Sequence, residues 1–547
     1  MLKKFVSRTY LILFAIFLLS LFLRFYQLGS VPFGFHIDEA SLGYNAYSLL
    51  QTGRDENNHL FPLYIDMFGD NRPSGYHIID IVPVMLFGLN VFATRFPAAL
   101  FGSLLVFPLY FLAFSIFKDK RIGLLVAFLG AMSPWSIVVS RASGEAIIAL
   151  FFITLGFALL LHSISKEKVS YLLSGTLCII LSFFFYHTPR VFVPMLFFSL
   201  FLSLFSLWRK TARNYKVVLL TCFIITSLVS FALVFLVTGG TGRFTQVNIF
   251  GFPETRLVMN EQLQEDGVMK SMVTVSRMFH NKVISYFLTF SRNYFEYFTG
   301  GFLFISGGLP AWYRVPGMGL LYLIELPFIL WGIVAVATSR KIIEKTPLIW
   351  LLVAPITAAI TVDDIPNINR TLVMLPALEM LAACGVVAVF GRIIPRFRLF
   401  GIFILSLVFL YSVLYFFHQY SVNAPIHKNW YRNVGFEEMG EIVESNYGAY
   451  DKIVVTKALG GIYPLLLFSL QYDPRAYQSE GSVKDAGYAG FGKLFFVPQA
   501  CPATQQDSRF PTNKKILYIE KGECMGGNKS EYIDRLDGTH VFHIVYE

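Results

Sequence analysis

Long apolar runs recur along this chain, near residues 10–28, 96–117, 121–139, 145–163, 169–187, 190–208, 217–238, 317–338, 346–362, 370–390 and 398–417. A hydrocarbon layer of about 30 Å needs roughly 20 helical residues to cross it, so the pattern predicts about eleven membrane-spanning helices. A further apolar stretch, YHIIDIVPVMLFGLNVF at 76–92, is short and is interrupted by Asp80 and Pro83, and it reads as an interfacial or re-entrant helix. Basic residues gather in alternate connections: Lys3, Lys4 and Arg8; Lys118, Lys120 and Arg121; Lys166 and Lys168; Arg209, Lys210, Arg213 and Lys216; Arg340, Lys341 and Lys345; Arg392, Arg396 and Arg398. Such connections stay cytoplasmic, which puts the N-terminus inside and, after an odd number of spans, the C-terminal tail outside. Counting 76–92 as a crossing would reverse the order and carry the later basic clusters outward.

Three polar stretches remain on the outer side. The first loop, about 29–95, is rich in turn residues, and the second, about 239–316, joins a soluble-looking segment (ETRLVMNEQLQEDG) to aromatic, interfacial helices. The tail, 419–547, is charged and carries short strand patterns in KIVVTK, GKLFFVP, KKILYIEK and HVFHIVYE, with a helical pattern in GGIYPLLLFSLQY. It reads as a small α/β extracytoplasmic domain following a membrane domain of residues 1–418.

Composition narrows the class. Of 547 residues 55% are hydrophobic and only 15% charged, against about 25% charged in a soluble domain; a water-soluble enzyme, a disordered chain and a disulfide-stapled secreted module are all poor fits. The net charge of +10 sits in the short connections rather than on one polar face, so it is a topology signal and not a nucleic-acid footprint. The first apolar run lacks a small-residue cleavage site and reads as a retained helix. Cys178, Cys222 and Cys384 lie inside apolar segments, leaving Cys501 and Cys524 as the pair placed to form a disulfide. Asn369-Arg-Thr371 and Asn528-Lys-Ser530 match glycosylation acceptors, a pattern common by chance.

Carboxylates near a membrane are costly and call for a reason. Asp38-Glu39 opens a helical pattern, DEASLGYNAYSLLQTG, that ends at Gly53 as a C-cap. The plain explanation is capping, since acidic side chains favour the first turn of any helix. Company on the same loop favours chemistry: Arg54-Asp55-Glu56 follows the helix, and Gly69-Asp70-Asn71-Arg72-Pro73 precedes the re-entrant segment.

These residues carry a resemblance. HIDEASLGYNAYSLLQTGRDENNHLFPLYIDMFGDNRPSGY, FGLNVFATRFPAALFGSL and SPWSIVVSRASGEAIIALFF resemble the GT-C glycosyltransferases of the protein mannosyltransferase and aminoarabinose transferase type, with weaker echoes in FFYHTPRVF, NYFEYFTGGFLF and NRTLVMLPALEMLAACG. The resemblance implies a polytopic GT-C fold of about 11–13 transmembrane helices. It also implies a polyprenyl-phosphate sugar as donor and inverting transfer to a hydroxyl of a protein, lipid or glycan on the extracytoplasmic face. Asp38 matches the family's catalytic aspartate, a general base of the kind that contributes about 10²–10⁴-fold. Glu39 completes the motif, and Glu145 stands where many relatives have a second outer-loop Asp. Some relatives hold a divalent metal between a first-loop acid and a distant histidine; here the candidates are Asp70, because Asn71 fills the position before Arg-Pro, and His187.

A phosphate leaving group needs positive charge. Arginines are sparse in the outer connections, so Arg95, Arg141, Arg190 and Arg370 are candidates to grip the donor phosphate, against the simpler reading that they snorkel or pair with Glu145, Asp363 and Asp364. The rival class is a transporter or flippase of lipid-linked or small polar substrates. Transporters commonly show repeated halves and midplane charges, whereas here no repeat is apparent and the acids gather at the outer edge. An oligosaccharyltransferase would share the architecture, but the tail has no WWD-type motif.

Overall fold

The computed structural model describes residues 2–67, 70–203, 212–236, 248–251, 253–427, 429–480, 490–505, 510, 514–527 and 529–547. Arg209, Lys210, Asn528 and the start of the 239–316 loop fall outside the described residues. The chain divides into two compact units, one made of 1–24, 98–140 and 144–416, the other of 25–97, 141–143 and 417–547.

Seven described helices are long and apolar enough to cross a bilayer: Arg8–Phe25, Val91–Phe117, Glu145–Lys166, Asn214–Leu236, Ile342–Ala359, Leu372–Arg392 and Pro395–Asn423. Lys120–Met132 and Pro134–Arg141 make an eighth if the 50° bend between them is taken within one span. Three more expected spans coincide with the shorter apolar helices Val169–Ser182, Thr188–Ser203 and Leu323–Ala337, and Gly75–Phe87 covers much of the segment read as re-entrant. The chain is a polytopic helical membrane protein. The count of seven or eight falls below the expected eleven to thirteen because several apolar runs are broken before they reach full length: helices of 14 and 16 residues rise only about 21–24 Å.

In the first unit the bend at Ser133-Pro134 has a visible cause. Proline lacks an N–H and its ring crowds the preceding turn, so carbonyls just upstream lose their helical partners. Arg24, fully buried, supplies donors instead: it reaches the carbonyls of Ala131 at 3.1 Å and Gly130 at 3.4 Å, and the hydroxyls of Ser20 and Ser136 at 2.8 Å each. Elsewhere in this unit Leu326–Ala337 packs on Leu375–Arg392 through glycines: a Cβ on Gly332 would sit 1.9 Å from the Leu381 carbonyl oxygen, and one on Gly385 1.9 Å from that of Phe328. Lipid offers little hydrophobic drive for association, so close backbone approach is what such a contact uses.

The second unit is built on a five-stranded mixed sheet. Its strands are β3 (Lys452–Thr456), β4 (Leu494–Val497), β5 (Ile516–Lys521), β6 (Ser530–Asp534) and β7 (His540–Tyr546), in the order β4-β3-β5-β7-β6. β3 runs parallel to β4 and β5, while β7 is antiparallel to β5 and β6. Residues of the first loop enter the same core: Phe35, Ala40 and Tyr44 are buried with Ile462, Leu466 and Phe468 of the tail helix Ile462–Ser469. Gly43 is a close approach between the two, where a Cβ would lie 2.4 Å from the Thr94 hydroxyl and 2.7 Å from the Phe468 ring. A short hairpin pairs β1 (Tyr64–Met67) with β2 (Asp70–Pro73). Cys501 and Cys524 form a disulfide across 23 residues of the tail.

Gly332→Ala and Gly385→Ala should each force the two helices apart and cost about 1–3 kcal/mol, the range for overpacking. Gly391→Ala, in the same helix but with open space around it, should leave the thermal transition of the detergent-purified protein unchanged or slightly raised. Equal losses from all three would contradict the glycine contact.

Candidate active site

The local sequence dictates how Asp38 is presented. His36, extended at φ −72° and ψ 148°, is the N-cap of the Ile37–Thr52 helix. Its Nδ1 accepts from the Asp38 N–H at 3.2 Å, while Glu39 Oε2 accepts from the His36 N–H at 3.3 Å, a reciprocal capping box. The other end closes as expected on Gly53, which takes the left-handed conformation at φ 70°. Asn433 of the tail completes the start by accepting from the Ile37 N–H at 3.3 Å.

The two acids then part company. Glu39 turns inward to Arg95, which donates from Nε to Oε1 at 2.8 Å and from Nη2 to Oε2 at 3.1 Å. Ser143 adds a third bond to Oε1 at 3.1 Å. Burial alone pushes this carboxyl up, but the Arg95 guanidinium more than reverses it and holds Glu39 below the usual carboxylate value. Arg95 directs its remaining donors to the carbonyls of Leu28, Pro32 and Gly34 at 2.7–3.2 Å, so all five of its N–H groups are used within the unit.

Asp38 stays partly open, with 18% of its side chain exposed. Arg72 bridges it to the hairpin, donating from Nη2 to Asp38 Oδ2 at 3.0 Å and from Nε to Asp70 Oδ2 at 3.2 Å. His36 Nδ1 lies 3.7 Å from the same Asp38 oxygen. The outcome is a half-open carboxylate with one oxygen fixed by a cation. Arg72 is the residue that sequence reasoning passed over as a partner, although its place two residues after Asp70 was a signal. Arg432, whose charge acts on both His36 and Glu39, carries no such signal in the sequence.

The other candidates sit as follows. In the second unit Arg141 donates to the carbonyls of Tyr26 and Val31 at 2.8 and 2.7 Å. In the first unit Arg190 donates twice to the Phe183 carbonyl and lies 3.2 Å from His187 Nδ1. Arg370 pairs with Asp363 at 2.8 Å and also bonds the Thr361 hydroxyl, as the simpler pairing reading expects. Glu145 is the buried first residue of its helix. Among the described residues no three His, Cys, Asp or Glu side chains converge as metal ligands, and Asp70 is engaged by Arg72. Among the described residues no metal site of three such ligands is assembled, and no step below passes through a metal.

No family model and no curated protein matches this sequence. Solved structures do. ArnT from Cupriavidus metallidurans in the apo state superposes with a TM-score of 0.55 over 99% of this chain and 98% of its own, at 12% identity. The fold is ArnT-like. The same protein bound to undecaprenyl phosphate matches at a TM-score of 0.50 and 14% identity over the same shares. The Archaeoglobus fulgidus oligosaccharyltransferase, in complex with Zn and sulfate, matches at a TM-score of 0.51 and 15% identity over 84% of this chain, which spans 61% of that protein's length. The polytopic helical fold expected from the sequence is thus like that of ArnT, and the likeness covers the tail as well, where no resemblance was visible in the residues.

Burial, against the opposing pull of Asp38 and Glu39, pushes the His36 imidazole below its ordinary 6.5, consistent with an unprotonated Nδ1 that accepts the capping bond. The unfolded chain then takes up a proton that the folded chain refuses, so the contribution of this cap is complete above about pH 6.5 and drains away as pH falls below it. The thermal transition should drop between about pH 7 and 5. His36→Asn, which keeps a capping side chain, should flatten that drop; an identical slope in the variant would remove His36 as its source.

Proposed function

We propose that this protein is an integral membrane glycosyltransferase that moves a sugar from a polyprenyl-phosphate donor to an acceptor hydroxyl on the extracytoplasmic face, with Asp38 as general base. The observation that carries the reading is the half-open Asp38 carboxylate, held by Arg72 at 3.0 Å in an ArnT-like fold. The matching ArnT structure binds undecaprenyl phosphate, which favours a lipid-phosphate donor here. The basic connections favour an inner N-terminus, with residues 1–418 forming the transferase body and 419–547 an outer domain.

In this mechanism the acceptor oxygen attacks the anomeric carbon as its proton passes to Asp38. The bond from that carbon to the phosphate oxygen breaks on the opposite face, its electron pair leaving with the lipid phosphate, and the configuration inverts. Arg72 fixes the angle of the base. Glu39 positions rather than reacts, since its oxygens are committed to Arg95, Ser143 and the capping bond. Charge for the departing phosphate falls to the outer arginines, with Arg190 beside His187, Arg370 and Arg141 as candidates; Arg95 serves by holding the loop.

Purified protein incubated with a panel of polyprenyl-phosphate sugars should release lipid phosphate, and Asp38→Asn should lower kcat by about 10²–10⁴-fold with donor binding retained. Release by the variant at the wild-type rate would refute the base assignment, and no turnover with any donor would return the transporter reading. Arg190→Ala and Arg370→Ala should each raise KM for the donor more than they lower kcat; unchanged donor affinity in both, and in Arg141→Ala, would end the phosphate-grip idea.

A further inference from the structure

A polar cleft of about 480 Å³ opens in the second unit between the end of the Ile37–Thr52 helix and the tail helix Pro474–Ser479. Arg54 enters from the first loop and Arg475 from the tail, and the rest of the lining is amide or hydroxyl: Gln51, Asn58 and Ser479 among them. Among the described residues no acidic and no apolar side chain lines it. A void of this size is ordinary for a small ligand, but such sites are usually apolar.

The walls are locked together. Gln478 Nε2 donates across the cleft floor to the hydroxyls of Ser48 at 3.0 Å and Thr52 at 3.1 Å and to the Asp55 carbonyl at 2.9 Å. Arg54 is steadied by one bond from Nη1 to the Asn58 carbonyl at 2.9 Å, which leaves the other edge of its fork available. Among the described residues the Arg475 guanidinium has no ion pair. The acids nearby are turned to their own partners: Asp55 accepts from the backbone of Asn57 and His59 and pairs with the His59 ring, Asp473 caps the Arg475 N–H, and Glu480 accepts from the Tyr472 hydroxyl and the Gly492 N–H. Two planar cations thus line one polar cleft, and among the described residues neither has an ion pair there.

We propose that this cleft is a binding site for an anionic saccharide, its phosphate or carboxylate gripped by Arg54 and Arg475 and its hydroxyls by the amide and hydroxyl lining. Guanidinium forks match either oxyanion with two parallel hydrogen bonds. The sugar body follows from a lining that offers hydrogen bonds in place of apolar contact. Binding here does not depend on the glycosyl-transfer reading; the use of the site to hold an acceptor does.

The test is equilibrium dialysis of full-length protein in neutral detergent, without donor, against labelled glucose 6-phosphate, glucuronate, glucose and inorganic phosphate. At least one charged sugar should bind about tenfold or more tighter than glucose, each tenfold being a modest interaction energy, and its affinity should fall with added salt. Arg54→Ala and Arg475→Ala should each weaken it about tenfold and the double variant should abolish it, with the thermal transition unmoved. Glucose binding as well as the charged sugars, inorganic phosphate binding as tightly as glucose 6-phosphate, or full binding by the double variant would overturn the proposal. A repeat in phosphatidylcholine discs should give the same affinities. Loss of sugar binding on adding phosphatidylglycerol would assign the cleft to a lipid headgroup instead.

Discussion

The buried fork between Arg95 and Glu39 is the interaction on which the proposed site depends. Taking two charges out of water is expensive, and the attraction between them offsets that only with good geometry and with the remaining donors and acceptors satisfied. Here both conditions hold: the guanidinium meets the carboxylate through two bonds of 2.8 and 3.1 Å and directs its other three N–H groups to carbonyls of residues 28–34. One contact therefore fixes an irregular loop and the first turn of the Ile37–Thr52 helix at once. Losing either partner leaves an uncompensated buried charge, a change that typically costs about 3–5 kcal/mol. Asp38, one residue away, inherits a fixed backbone from an ion pair it does not join.

This division of labour separates two adjacent carboxylates that look alike in sequence. Glu39 is 3% exposed and satisfied on every side; a proton acceptor for an incoming substrate needs the opposite. Asp38 keeps access and has one oxygen tethered by Arg72, so its position is set without closing it off. The hairpin carrying Arg72 and Asp70 is only four paired residues long on each strand. Its value is to bring a cation across 34 positions of sequence to the helix start.

Much of this is legible in the sequence, and the failures have physical causes. Capping chemistry points to the Asp38 helix and its end at Gly53, and alternating apolar residues point to β3, β4, β5 and β7. β6 escapes notice because SEYID is an edge strand with a single buried residue, so its period-2 signal is nearly absent. The eleven apolar runs all appear as helices, but hydropathy registers a run whether or not Pro134 or a turn at Phe183 divides it, so it does not show which are shortened or bent. The union of the first loop with the tail sheet cannot be read at all: it rests on contacts such as Gly43 with Phe468, and a pattern along the chain carries no information about which distant surface it covers.

Scarcity in the connections read from sequence as outer marks the arginines without revealing their work. Irregular backbone shielded from water must find donors for its carbonyls within the protein, and these side chains supply them repeatedly. Arg24 covers Gly130 and Ala131 at a proline break; Arg141 covers Tyr26 and Val31; Arg190 covers Phe183; Arg370 covers the carbonyl of Asp363. A single guanidinium has five donors, so stitching backbone and holding an anion are compatible as long as the donors are not all locked to backbone and buried carboxylate. That condition sorts the set. Arg95 has committed all five, whereas Arg190 places Nη1 3.2 Å from the His187 ring, and in the proposed reaction an imidazole is a partner that a phosphate can share or displace. The charge that broken helices require for their own carbonyls is also the charge that the leaving phosphate of the proposed reaction would require, so one kind of side chain can answer both demands.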